Sequence, residues 1–477
     1  MMVAPGLPQN APTTTSAAVT WLAYGCGLIV SLTVGHFLLG LPIQYSDSFG
    51  QLLKATGPWN DLLYGEFTQR AYMRPLMWGE LKLVYELSGG NYFAWYRGVH
   101  VIQTATLAIL FIRLVRPRTL LDLAPIVLGL AVLFGTHTFQ GTVREAFPLN
   151  HFMTVLIYCL LAANLAMARY RWWNDVLGAL LFAISALTIE SGLLVGAILV
   201  GGALVGTTGI SRKGAALQVL LLAVYLVLRF PVFGVGAPDL IERSSGFGFR
   251  VLDPPELVAR FGANPLGFYL YNSVSGVLSV LLSEPTGGVY SLTRQVLNGN
   301  FTFATWDMFL ASLCATSLVA LFLWRRRRAI AAWRLDRDDQ LVALFVVVLM
   351  ANAVVTYPYS KDVVMSPAGV FLAVAVCVAA RGLLSWLPAI PSPRLETVAL
   401  AFFALTGAMW AIRLTETHLN LRAGAVVERN EWAYMEEDAS FQEPERTLFR
   451  SLRDDALFTH PAPGPLVSPL RALLSRE

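Results

Sequence analysis

The feature that most constrains this chain is its pattern of apolar blocks, each about 17–24 residues long, which is the length a helix needs to cross a bilayer. Short basic clusters separate the blocks. Among the 477 residues, hydrophobic types make up 56% and charged types 14%. Soluble domains carry about 25% charged residues. The mean hydropathy is +0.57. A soluble fold of this size needs more polar residues to cover its surface. The pattern therefore excludes a soluble enzyme, a disordered chain and a coiled coil. It predicts an all-α, polytopic integral membrane protein.

The net charge is +4 and the pI about 8.9. Most basic residues lie in clusters between apolar blocks, where they orient helices. Nucleic acid is therefore not an expected partner. Cys26, Cys159, Cys314 and Cys377 each fall inside an apolar block with no CxxC spacing. They suggest neither zinc nor a disulfide framework and read as small packing residues. Residues 1–20 carry no Lys or Arg. A cleaved signal peptide has a basic start, so the first apolar block is expected to be retained.

Spans are predicted at 18–41, 94–114, 120–138, 147–168, 175–190, 192–208, 215–233, 306–324, 340–357, 364–380 and 395–412. The basic clusters are Arg113/Arg116/Arg118, Arg169/Arg171, Arg212/Lys213, Arg325–Arg328 and Arg381. All can share the cytoplasmic face only if the apolar segment 265–283 does not cross. That segment is expected to be re-entrant or interfacial, giving about eleven spans, or twelve if it crosses. Eleven spans leave the N-terminus cytoplasmic. They put 42–93, 234–305 and 413–477 on the outer face of the plasma membrane. The first two of these are amphipathic and expected to lie on the membrane surface. The expected organisation is a transmembrane domain over 1–412 and a short extracytoplasmic tail over 413–477. No internal repeat of fixed period is visible.

Polar groups near the membrane are costly and are functional candidates by default. Gln44-Tyr45-Ser46-Asp47-Ser48 follows the first span. Asp47 there suits a general base or a metal ligand, and equally a helix cap. Arg74-Pro75-Leu76 offers a guanidinium that can clamp a phosphate or snorkel to lipid headgroups. Arg144-Glu145, flanked by His137 and His151, would add a second carboxylate for an acid/base or metal pair, or form a salt-bridged turn. The two His lack a short metal-ligand spacing. Glu190, in a nearly unbroken apolar stretch, is either a site carboxylate or a cap for the next helix. Lys361 lies between two apolar helices and is one of only four lysines. It is placed to hold an anionic lipid phosphate or to occupy a solvated turn. Together these residues suit a site that takes a phosphate-bearing lipid and activates an acceptor hydroxyl.

In order, the chain reads Asp47, Arg74-Pro75-Leu76, Gly90-Asn91-Tyr92 and His100, then Arg144-Glu145, Glu190-Ser191-Gly192, Lys361 to Gly369, and Asn430 with Trp432. This resembles the membrane glycosyltransferases of the GT-C class, especially the protein O-mannosyltransferase-like branch, over roughly residues 18–435. The resemblance implies a polyprenyl-phosphate sugar donor and transfer at the extracytoplasmic face to an acceptor that is a protein, a lipid or a glycan. It implies that Asp47 is the base, with Glu145 the second catalytic acid. Arg74, Lys361 and Arg144 would hold the donor phosphate, and Gln44, Tyr45, His100 and Glu190 would line the substrate site. Many members pair two acids where Asp47 is followed here by Ser48. A divalent ion such as Mg or Mn on Asp47 and Glu145 therefore stays an open element. The tail also lacks the TPR repeats of related members. Two alternatives stand beside this reading: a multi-pass transporter or lipid flippase, and a non-catalytic membrane scaffold.

Overall fold

Long runs of Leu, Val, Ala and Phe form helix most readily when no water competes for the backbone. A computed structural model of the chain describes residues 17–68, 73–136, 139, 142, 151–234, 244–249, 251–282, 288–300, 302–390 and 392–459. These residues form eighteen α-helices and no strand, with two isolated backbone bridges. Seven described helices are long and apolar enough to cross a membrane, or eight if one sharply bent pair counts as a single span. That is the architecture of a polytopic membrane protein.

The long helices include α1 (Ala17–Leu39). Three short amphipathic helices follow: α2 (Gly50–Thr56), α3 (Trp59–Thr68) and α4 (Pro75–Ser88). Next come α5 (Tyr92–Val115), α6 (Leu123–Gly135), α7 (His151–Ala166), α8 (Trp172–Ala186) and α9 (Leu194–Leu204). Helix α10 (Arg212–Val227) runs into a π turn at Leu228–Val232. After α11 (Pro254–Phe261), α12 (Leu266–Leu282) and α13 (Gly288–Leu297) come α14 (Phe303–Ala331) and α15 (Arg337–Val355). The chain continues through α16 (Ser366–Trp386), α17 (Pro393–Tyr434) and α18 (Glu445–Thr459).

Helix α16 is apolar on every side, so it is expected to be surrounded by protein. It packs against α6, α14 and α15 and is buried almost throughout. Small residues bring the backbones close, as packing between apolar helices requires. A Cβ on Gly129 of α6 would stand 2.6 Å from the Phe111 ring and 2.9 Å from Cys377.

The basic clusters meet at one end of the bundle. Arg381 donates to the Val115 carbonyl at 2.8 Å and pairs with Asp338 at 2.6 Å. Arg118 reaches the same Asp338 at 3.0 Å. Arg337 donates to the Leu114 carbonyl at 2.9 Å and the Met167 carbonyl at 3.1 Å. Asn174 donates to the Gly209 carbonyl at 2.9 Å, and the Ser211 amide to Asp175 at 3.0 Å. Arg325–Arg328, expected to follow a span, lie within the last turns of α14.

Further ties locate 265–283 against the bundle. Helices α11 and α12 are bent by 98°. Near its start, α12 places Asn272 against the Ser245 and Tyr357 carbonyls at 3.0 and 2.9 Å. Tyr357 follows α15 and so lies at the end opposite the basic one. The far end of α12 reaches the middle of α14, where Thr316 donates to the Leu281 carbonyl. The Val289 amide then caps onto Ser279 at 3.0 Å, and α13 returns to the start of α14 through Thr305 and Gln295. By length and composition the bent α11–α12 pair is either one broken span or a re-entrant loop.

The expected boundary at 412 falls inside α17. This helix has 42 residues, about 63 Å at 1.5 Å per residue. Its later part and α18 build a second apolar core with the segment after α1. Trp432, Leu448, Phe449 and Leu452 pack there with Ile43, Phe49, Leu52 and Leu81.

Candidate functional site

The end opposite the basic clusters holds a charged triad, Arg74–Glu190–Arg229. Helix α8 stops at Ala186, and the chain turns through a 3-10 segment, Glu190–Leu193. Gly192 is required here, because a Cβ would lie 1.9 Å from the Ser185 carbonyl. Ser185 Oγ donates back to the Gly192 carbonyl at 2.9 Å, which fixes the turn and the carboxylate on it.

Arg74 precedes Pro75, and the proline ring disfavours helical backbone at the residue before it. Arg74 is accordingly the last non-helical residue before α4. The Leu76 amide donates to the Leu187 carbonyl at 3.2 Å and docks α4 on the α8 turn. Arg74 Nε then donates to both Glu190 oxygens at 3.2 and 3.1 Å, and Nη2 to Oε2 at 2.5 Å. Arg229 approaches from the other side, with Nη2 3.1 Å from Glu190 Oε1. Its Nη1 donates to Tyr225 Oη at 2.9 Å. Two guanidiniums thus converge on one carboxylate. His151, fully buried at the start of α7, lies close enough for the Arg74 charge to act on it.

Gln44, Tyr45 and His100 lie together in an anchoring network one helix away. Arg97 on α5 is buried and donates to the Leu41 carbonyl at 2.7 Å and to the Pro42 carbonyl. His100 Nδ1 stands 3.0 Å from Arg97 Nη1 and so helps orient it. Gln44 Nε2 donates to Glu428 on α17 at 3.4 Å. Tyr45 stacks on Phe49 and meets Trp432 edge-on, with centroids 5.4 and 5.2 Å away. This network holds the π turn Tyr45–Phe49, which carries the Asp47 backbone. The Asp47 side chain lies outside the described residues, as do Arg144, Glu145 and His137.

Lys361 lies at the same end as the triad. Its Nζ sits 5.1 Å from the Tyr359 ring centroid. The adjoining chain is clamped by the Ser360 amide on the Ser245 carbonyl at 2.9 Å. Thr142 Oγ1 and Ser366 Oγ are 2.5 Å apart, so the chain shortly before Arg144 reaches the start of α16.

Two residues here escaped the sequence reading. Arg229 lies near the end of the expected span 215–233, and its signal is position, inside the apolar run Val227 to Val232. Glu80, on the amphipathic helix α4, accepts from Tyr158 Oη at 3.4 Å. Burial pushes its carboxyl up to about 7, against the smaller opposing pull of the Tyr158 bond. A carboxyl poised there suits proton transfer near neutral pH. Among the described residues, no group of three or more His, Cys, Asp or Glu gathers as a metal site. The two carboxylates expected to hold Mg or Mn, Asp47 and Glu145, fall outside that description.

Comparison with family models, curated proteins and solved structures finds no match to this chain.

Proposed function

We propose that the chain is a membrane glycosyltransferase acting on a polyprenyl-phosphate sugar, with the basic end cytoplasmic and the triad end extracytoplasmic. In this reading the four shorter apolar helices, α6 to α9, cross the membrane as well as the seven long ones, giving eleven spans. Each of the four runs between the two ends of the bundle: Met167 and Gly206 meet Arg337 and Gln340 at the basic end. Leu187, after α8, meets Leu76 at the other.

The observation that carries the proposal is the convergence of Arg74 and Arg229 on Glu190 at the end opposite the basic clusters. Forked guanidinium donors suit a donor phosphate and stabilise it as it leaves, an effect that is large where water is scarce. Arg74 and Arg229 would hold that phosphate, with Lys361 and Arg144 as further cations. Asp47 would take the acceptor proton, and the sugar carbon would pass from phosphate oxygen to acceptor oxygen with inversion. Glu80 would be a second proton-transfer group. The test is to incubate the purified chain with labelled polyprenyl-phosphate sugars and acceptor membranes. Sugar transfer that disappears in Asp47→Ala, with expression intact, supports the reading. Full activity in that variant excludes Asp47 as base.

A second reading, a transporter, is favoured by one observation: the 98° break between α11 and α12, since broken helices often frame transport sites. Uptake of the labelled lipid-sugar without transfer would favour it.

A further inference from the structure

The basic end holds a cavity of about 350 Å³, lined by Arg116, Arg169, Thr207, Thr208, Arg337 and Gln340 together with Met167 and Ala168. Three guanidiniums and the Thr207 hydroxyl line it, Thr208 Oγ1 already donates to the Ala168 carbonyl at 3.2 Å and Gln340 Nε2 to the Gly206 carbonyl at 3.0 Å, and no carboxylate lines the space. Basic residues at this face are expected for orienting helices, so the question is whether these do more. Helices α5, α7 and α9 all end here, and each C-terminus carries about half a negative charge. Those ends offset about half the charge of the three guanidiniums. The nearest acid, Asp338, is already shared by Arg118 and Arg381. A net positive charge remains.

Hydrogen-bonding capacity points the same way. Arg337 spends Nη1 and Nη2 on the Met167 and Leu114 carbonyls. Its Nε is buried and has no partner among the described residues. Thr207 is 8% exposed, and its Oγ1 likewise has no partner among the described residues. Leaving a buried polar atom unsatisfied costs about 1–3 kcal/mol. Arg116 also holds a left-handed backbone, with φ 50°, a conformation disfavoured for a residue with a side chain.

We propose that this cavity binds a phosphate-group anion, at a site separate from the Glu190 triad. A tetrahedral oxyanion accepts from several directions, which matches forked guanidinium donors and a hydroxyl. The volume suits one small headgroup or a free phosphate.

Two arms distinguish the source. In one, full-length protein in nanodiscs of phosphatidylglycerol and phosphatidylcholine is examined by native mass spectrometry for a retained anionic lipid. In the other, protein in neutral detergent is dialysed against radiolabelled inorganic phosphate. One equivalent bound in the first arm alone identifies a lipid headgroup; one equivalent in the second identifies free phosphate. Arg337 is a poor test position because it ties α5 to α7. Arg169, which is exposed, and Thr207 are better. Arg169→Gln is expected to weaken binding about tenfold, and Thr207→Val to weaken it severalfold, with unchanged melting temperatures. The proposal fails if neither arm saturates at one equivalent, or if both variants bind as the parent does.

Discussion

The indole Nε1 of Trp432 donates to the carbonyl of Ile43 across 2.6 Å. This bond joins the far part of α17 to the chain just after α1, across 389 positions of sequence. Trp432 is fully buried and touches the rings of Tyr45, Phe49 and Phe449. Trp432→Ala should cost about 3–5 kcal/mol, and Trp432→Phe about 1 kcal/mol for the lost hydrogen bond plus some packing. Denaturant unfolding in detergent checks both. Proteolysis of the Tyr45–Phe49 turn should accelerate in the alanine variant before the rest of the bundle opens.

Removing the charge from Glu190 would leave Arg74 and Arg229 facing each other. Glu190→Gln should destabilise by on the order of 1–2 kcal/mol, the cost of weakening charge-assisted hydrogen bonds in a partly buried ion pair. Adding Arg229→Met should recover part of that loss, because the two sites share one network. Thermal melts of the two single variants and the double variant decide this. Strict additivity would mean that the two residues are not coupled in solution.

Glu80 predicts a pH dependence with a definite sign. Its carboxyl titrates near 7 in the fold and near 4.3 in an unfolded chain. The folded state therefore binds the proton more tightly. Its contribution to stability is complete below about pH 4 and is lost as pH rises through 7. Between pH 5 and 8 the parent should lose melting temperature, and Glu80→Gln should flatten that slope.

Gly192 tests the turn that presents Glu190. Gly192→Ala drives a methyl into the Ser185 carbonyl. Backbone must move, at a cost of about 3 kcal/mol or more. Reduced expression and loss of the proposed transfer should occur together. Gly267→Ala, where a Cβ meets nothing within 4 Å, is the matched control and should be neutral or mildly stabilising.

Much of the helical layout was readable in advance, because a crossing helix writes its length directly as an apolar run. Charge counting set the expectation for 265–283, since basic clusters on one face leave only an even number of crossings between Arg212 and Arg325, and the structure shows a 98° bend there. The later half of α17 was not readable as helix in the same way. Its polar sequence resembles a tail until Glu428 and Trp432 are seen against Gln44 and Ile43. Pairings such as Arg74 with Glu190, 116 positions apart, leave no periodic trace, since only tertiary packing sets them. Arg229 was hidden for the same reason: its partner belongs to another helix.

Helix α17 continues unbroken for 42 residues, about twice the span of the hydrocarbon layer. Its lipid-side portion leans on α6 and α14, and its far portion grips the segment bearing Asp47. One continuous element therefore ties the packing of the bundle to the turn that carries the proposed base, so that a substitution anywhere along its length bears on where that turn sits.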